Sequence, residues 1–485
     1  MSIKKDIKKI SDVTWEVPKG YQDGMLVPAM VYATEKLIDS MEEGVLRQIA
    51  NVATLPGILK KAICMPDGHS GYGFPIGGVA VMDPEEGVIS PGGIGFDINC
   101  GMRLVLTDLT YSQVKPKINL LVNKLFNKIP AGLGRPGFIK ISQKEFRRLT
   151  EKGARWCVEK GFGCEDDLLK TEERGCFADA DSAFVSKKAI ERGCKQVGTL
   201  GSGNHYLEIQ VIKPENIIDK NLAEKFGFTV PNQVAVMFHC GSRGFGHQIG
   251  TDYLQSFLKV MEPKYGLKIR DRELASAPFR SKDGQSYYKA MRCAVNMAFA
   301  NRQIILHKIR EVFSEVFKAS PEKLGIRQLY DVSHNTAKIE VHEIDGKERK
   351  VLVHRKGATR AFPPGSFDLP PLYRDCGQPV IIGGSMETGS YLLAGSKSGA
   401  DAFFTTAHGS GRVMSRKKAR GLFQGRDIQK KLLKKGILVS AASYPALAEE
   451  AGAAYKDIDE VVKATKLAGI SKPVLKLIPV GNIKG

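Results

Sequence analysis

Alternation of apolar and polar positions, together with β-branched residues, predicts four short strands, at 79–82, 102–106, 233–238 and 380–382. Three others repeat their apolar positions at helical spacing. Residues 113–129 are amphipathic with a basic outer face, 286–319 is long enough for one or two helices, and 428–435 carries lysine pairs along one side. Between these elements glycine gathers in short signatures, at 67–78, 92–101, 198–203, 241–250, 383–389 and 408–411. Such clusters mark tight turns and points of close backbone approach. Strands and helices are mixed without a regular β-α-β rhythm. The expected class is therefore α+β, a large mixed sheet with surrounding helices, and not a doubly wound sheet. No repeat or low-complexity linker divides the chain, which predicts one domain over 1–485 with a helical sub-region near 286–320.

Charge adds the first hint of a partner. Lysine and arginine number 72 against 52 acidic residues, a formal net charge of +20. An excess of that size favours a polyanion such as nucleic acid, through counterion release from phosphates. Residues 1–10 alternate lysine with single apolar positions and do not resemble a secretory leader. No apolar run is long enough to span a bilayer. A cytoplasmic protein is expected, with its nine cysteines mostly reduced. Cys157, Cys164, Cys176 and Cys194 lack Cys-x-x-Cys spacing, which argues against a structural zinc site.

Several of the nine histidines stand where an apolar run meets a glycine turn, where a rigid element aims a side chain and a loop admits a ligand. His205 lies in Gly201-Ser-Gly-Asn-His-Tyr-Leu-Glu208. His239 follows Val234-Ala-Val-Met-Phe238. His334 sits in Asp331-Val-Ser-His-Asn335, and His408 in Thr405-Thr-Ala-His-Gly-Ser-Gly-Arg412. Gly95-Phe-Asp-Ile-Asn-Cys-Gly101 places Asp97 and Cys100 three residues apart, so that in a tight turn both can face one point. Carboxylate, thiolate and imidazoles together suit a transition metal. Each residue also has a plainer reading. A lone histidine beside a core strand is more often a hydrogen-bonded structural residue, and Asp97 or Asn204 can serve as turn formers. These alternatives stay open on spacing alone.

The chain resembles the RtcB family of RNA-splicing and repair ligases. The resemblance runs from Pro66-Asp-Gly-His69 to Ile483-Lys-Gly485. It includes the Asp-x-x-Cys turn, Gly203-Asn-His-x-x-Glu208, His239-x-Gly-Ser-Arg-Gly244, Ser333-His-Asn335, Gly384-Ser-Met386, Ala407-His-Gly-x-Gly-Arg-x-Met-Ser-Arg416 and Ala454-Tyr-Lys-Asp457. It implies a catalytic domain of that type and a GTP-driven enzyme. Such an enzyme joins an RNA 3′-phosphate, or a 2′,3′-cyclic phosphate opened to one, to a 5′-hydroxyl. It works through a guanylate on His408 and an RNA-3′-pp-G end, in tRNA splicing or RNA repair. Two manganese ions are implied, one on Asp97, Cys100 and His205, the other on Cys100, His239 and His334. Guanylate contacts fall on Asn204, His205, Tyr206, Leu207, Glu208, His334, Asn335, Gly383, Gly384, Ser385, Met386, Ser390, His408, Gly409, Ser410, Gly411, Tyr455 and Lys484. Family members often act with a small activating protein, archease. Arg243, Arg412 and Arg416 are the candidates for holding RNA phosphates.

Two positions depart from the family pattern. Glu387 stands where glycine is expected, adding a negative charge beside the nucleotide loop, and the approach to Lys484 is slightly irregular. Two rivals remain. An RNA-binding scaffold would not turn over GTP, and a binuclear metallohydrolase would leave His408 without a covalent role.

Overall fold

The structure is a computed structural model and describes residues 5–485. Two large sheets organise it. The first has seven strands in the spatial order Lys8–Ser11, Thr14–Val17, Ala29–Tyr32, Ile58–His69, Ile76–Met82, Lys347–Lys356 and Asn335–Ile344. The second orders Arg327–Ser333, Gly101–Thr110, Gln233–Cys240, Tyr206–Ile212, Ser471–Lys484, Ser390–Gly395 and Pro379–Ile382, with Leu438–Ala441 as an eighth strand beside Ser471–Lys484. Among the described residues only two strand pairs are parallel, Ala29–Tyr32 with Ile58–His69 and Leu438–Ala441 with Ser471–Lys484. Antiparallel pairing with separate helical layers is the α+β arrangement, as expected from the missing β-α-β rhythm.

The four short strand predictions fall within Ile76–Met82, Gly101–Thr110, Gln233–Cys240 and Pro379–Ile382. The run Val234-Ala-Val-Met-Phe238 is continuous, not alternating, because both faces of its sheet are covered. Val234, Val236 and Phe238 pack with Leu121, Leu125 and Ile309 of two helices, while Ala235 and Met237 pack with Leu104, Leu329 and Leu392 on the other side. The segment 286–319 is one helix, Lys282–Phe317, and most of its apolar side chains are buried. The amphipathic segment 113–129 is not one helix. It divides into Tyr111–Val114, a 3₁₀ turn Lys115–Lys117 and Ile118–Lys128. Pro116 explains the break, since it has no N–H to donate and its ring crowds the preceding turn. No helix of the described residues is long and apolar enough to cross a membrane.

Strand register decides where the site forms. Ser333 pairs with Gly101, Gly101 with Cys240, and Tyr206 with His239. Cys100, His239, His205 and His334 therefore end or precede neighbouring strands at the same edge of the sheet. His334 is also the single residue between Arg327–Ser333 and Asn335–Ile344, so it stands where the chain passes from one sheet to the other.

Candidate active site

The turn at 97–100 is closed by the Cys100 N–H donating to the Asp97 carbonyl at 2.9 Å. Asn99 adopts the left-handed conformation, φ 51°, that asparagine tolerates better than most residues. Arg302, fully buried in the long helix, fixes the surroundings. Its guanidinium donates to the Asn99 carbonyl (2.8 Å), to the Cys240 carbonyl (2.9 Å) and to both oxygens of Asp331. One side chain thus ties down the neighbours of Cys100 and His239 and the strand leading to His334.

Two donor clusters result. Cys100, His239 and His334 form one, and Asp97, Cys100 and His205 the other, with Cys100 in both. Cys100 Sγ lies 3.0 Å from His239 Nε2 and 3.2 Å from His205 Nε2, and the Nε2 atoms of His239 and His334 are 2.9 Å apart. His239 Nδ1 faces the Asn204 carbonyl at 3.0 Å, which a protonated Nδ1 satisfies. That tautomer leaves the His239 Nε2 lone pair directed at Cys100 and His334. Burial pulls His205, His239 and His334 below the usual imidazole range, keeping them neutral. Burial and the nearby Asp97 charge push the Cys100 thiol well up. A divalent cation on the sulfur would reverse this, because a coordinating thiol is deprotonated.

The first cluster therefore fits a transition metal: the Cys100 sulfur and the Nε2 atoms of His239 and His334 are soft and borderline donors that converge on one point. The second cluster needs one change. Arg243 Nη1 lies 2.8 Å from His205 Nδ1, and a guanidinium only donates, so Nδ1 accepts and Nε2 carries the proton toward Asp97 Oδ2 at 2.8 Å. For Nε2 to serve a cation, that proton must leave and Arg243 must turn aside. Asp97 keeps its charge, since the His205 imidazole and Arg243 outweigh the burial that would otherwise raise its carboxyl.

His408 follows the short strand Thr405–Ala407 and its ring lies 4.9 Å from that of His334. Its Nδ1 is 2.5 Å from Asp67 Oδ2, which also accepts the backbone N–H groups of His408 (3.1 Å) and Gly409 (3.2 Å). Asp67 is fully buried; burial would raise its carboxyl, but His408 and His69 hold it below the usual range. An ionised Asp67 fixes the proton on His408 Nδ1 and leaves the Nε2 lone pair free. Gly411 allows this approach: at φ +73° any Cβ would collide with the Asp67 carbonyl.

These residues border a cavity of about 1040 Å³ including its open mouth. Asp97, Cys100, Asn204, Tyr206, Glu208, His239, His334, Asn335, Gly383, Gly384, Ser385, Met386, the 408–412 turn, Arg416, Tyr455 and Lys484 line it. At one end Lys484 Nζ lies 2.8 Å from Glu450 Oε2, over the Tyr206 ring. Burial pushes the Glu208 carboxyl up to about 7, although the Gln210 and Asn482 amides donate to it and Lys484 opposes the shift.

The profile of a family described as tRNA-splicing ligase RtcB matches residues 48–485. The chain belongs to the RtcB family. The tRNA-splicing ligase RtcB of Archaeoglobus fulgidus is 50% identical over the full length of both chains. That of Thermococcus kodakarensis is also 50% identical, over 99% of each. The RNA-splicing ligase RtcB homolog 1 of Entamoeba dispar is 44% identical over 97% of this chain and 89% of its own.

Some of the expected site residues stand apart from the cavity or are already engaged within the fold. Leu207 points to the opposite face of its strand, into the apolar cluster beneath, so only its main chain can reach a ligand. Ser390 lies behind the 383–386 loop, where its Oγ accepts the Gly384 N–H at 3.1 Å. Arg412 lines the cavity but is fully engaged, donating to Met414 O, Glu449 O, Glu450 and the Tyr455 hydroxyl. The departure at Glu387 is harmless to the cavity. Its carboxylate turns to Lys431 (2.8 Å) of the helix Gly425–Lys434 and to Lys435 (3.0 Å), which caps that helix.

Asp67, His69 and Glu450 also border the site or act on it, and sequence reasoning passed over them. The pairing of Asp67 and His69 around a glycine, at the start of the 67–78 signature, was the available signal. Glu450 had none.

Proposed function

We propose that this RtcB-family chain is an RNA ligase acting in tRNA splicing, and that it joins a 3′-phosphate, or a cyclic phosphate opened to one, to a 5′-hydroxyl at the expense of GTP. The observation that carries the reading is the single free nitrogen of His408, held by Asp67 beside the two donor clusters.

His408 Nε2 attacks the α-phosphorus of GTP; the bond to the β-phosphate oxygen breaks and pyrophosphate leaves. The imidazole then carries a guanylate through a P–N bond, and the Asp67 carboxylate compensates the positive ring through Nδ1–H. An oxygen of the RNA 3′-phosphate attacks this phosphorus, the P–N bond breaks, and the imidazole recovers its lone pair. The product is an RNA-3′-pp-G end. The 5′-hydroxyl finally attacks the 3′-phosphate phosphorus, loses its proton and expels GMP.

Each step builds charge on phosphoryl oxygens, so positioning and fixed donors matter most. The 409–411 turn and the 383–386 loop line the cavity with His408, and both are assigned to the nucleotide. Glu208 and Lys484 would read the guanine edge, and Asn204, Asn335 and Tyr455 would hold the rest. Asp97, Cys100 and His205 would hold one cation and Cys100, His239 and His334 the other. Two such cations would supply charge neutralisation to the phosphates. Manganese, two per chain, is what the family resemblance implies. The donors alone would favour zinc, so geometry and supply set the choice.

The test is ligation itself. Paired RNA ends bearing 3′-phosphate and 5′-hydroxyl are incubated with the protein, GTP and manganese. Joining that requires all three, and no joining of 3′-hydroxyl to 5′-phosphate ends, supports the reading; hydrolysis of cyclic phosphate without joining contradicts it.

A further inference from the structure

Outside the cavity, the strongest unassigned feature is a helical hairpin, Arg416–Leu422 followed by Gly425–Lys434. Residues 416–435 hold nine lysines and arginines and a single acid, Asp427. That stretch supplies eight of the chain's twenty surplus positive charges.

Its basic residues divide into two sets. Arg416 and Arg420 face Glu449, and Lys431 and Lys435 face Glu387. These four are paired with carboxylates of neighbouring segments. Lys417, Lys418, Arg426, Lys430 and Lys434 are exposed, and among the described residues no carboxylate pairs with them. Arg426, Lys430 and Lys434 are spaced four apart, so they form one stripe along their helix. Beside the stripe Tyr444 is 46% exposed, with the Arg426 guanidinium over its ring at 5.2 Å.

The hairpin is continuous with the site. Arg416, its first residue, lines the cavity. Ile428 and Leu432 share a small apolar cluster with Met386 of the cavity wall. An unpaired cationic stripe flanked by an exposed aromatic ring is the combination that tracks a nucleic-acid strand, phosphates on the cations and a base on the ring. We infer that the outer face of this hairpin, through Arg426, Lys430, Lys434 and Tyr444, is the docking surface for the body of the RNA whose end enters the cavity. This rests on the ligase reading. It extends that reading from the reacting end to a surface that carries affinity without chemistry.

The experiment compares wild type with Lys430→Glu/Lys434→Glu, and with Lys430→Gln/Lys434→Gln, which keeps good helix formers. Fluorescence anisotropy measures binding of a full-length RNA half and of a 3′-phosphorylated trinucleotide across a salt series. The charge reversal should weaken the long RNA by at least ~10-fold near 0.1 M salt, and both variants should lower its log–log salt slope by ~1.4, about 0.7 for each lost phosphate contact. Trinucleotide binding and GTP labelling should stay at wild-type levels. Wild-type affinity and slope for the long RNA in both variants would overturn the inference. So would unchanged RNA binding with a loss of binding to phosphatidylserine vesicles, which would make the face a membrane contact. GTP labelling of the wild type tests the ligase reading separately.

Discussion

Asp67 Oδ2 accepts three hydrogens from one turn: the His408 ring N–H at 2.5 Å and the backbone N–H groups of His408 and Gly409. The same carboxylate therefore sets both the tautomer of the histidine and the position of its loop. No lysine or arginine side chain among the described residues forms an ion pair with it, although the Lys456 ammonium sits close by on the flanking carbonyls of Pro66 and Gly68.

Asp67→Asn should keep the shape and remove the function. An amide nitrogen facing His408 Nδ1 moves the ring proton to Nε2 and blocks the lone pair. By comparison with the triad aspartate of serine proteases, the rate of guanylate transfer should fall ~10²–10⁴-fold. Single-turnover labelling with GTP reads the rate, and metal content should not change.

Cys100 belongs to both donor clusters. Cys100→Ala should weaken both cation sites together, whereas His334→Ala should spare the Asp97/Cys100/His205 set. Elemental analysis of the folded variants after dialysis separates the cases. Two full equivalents of metal retained in Cys100→Ala would rule out the shared sulfur.

Glu208 gives the account a pH dependence. A carboxyl at about 7 in the fold, against ~4.3 in an unfolded chain, means the native state holds the extra proton between those values. Stability should therefore fall as pH rises through that window. Affinity for GTP should rise through pH about 7, because guanine donors need the ionised form. Urea midpoints and GTP titrations at pH 5.5 and 8 measure both, and Glu208→Gln should flatten both slopes.

Arg302→Met should cost stability on the order of 3–5 kcal/mol, since it strips Asp331 of one of its two buried guanidinium partners. It should also weaken metal binding, because the carbonyls beside Cys100 and His239 lose their common donor. Denaturant unfolding with metal titration of the surviving fold checks the pair of effects.

Four strands were legible because buried strands read as apolar, β-branched runs, and because glycine turns mark where they end; most of the others were not. The histidines at those ends stood out for the same reason. What gathers them was not legible. Strand register places Cys100 beside His239 across 139 residues of chain, and nothing local encodes that pairing. Asp67 reaches His408 across 341 residues. Arg302 sits mid-helix, where periodicity marks a position as inward but does not say that it will bind main-chain carbonyls. Glu387 looked like an intrusion on the nucleotide loop until two lysines, more than forty positions onward, were found to face it.

The most direct test is intact mass followed by peptide mapping after incubation with GTP and manganese. The account predicts one added guanylate, carried by His408 and absent from a folded His408→Asn variant. A guanylate on another residue, or RNA joining at the wild-type rate by His408→Asn, would contradict it.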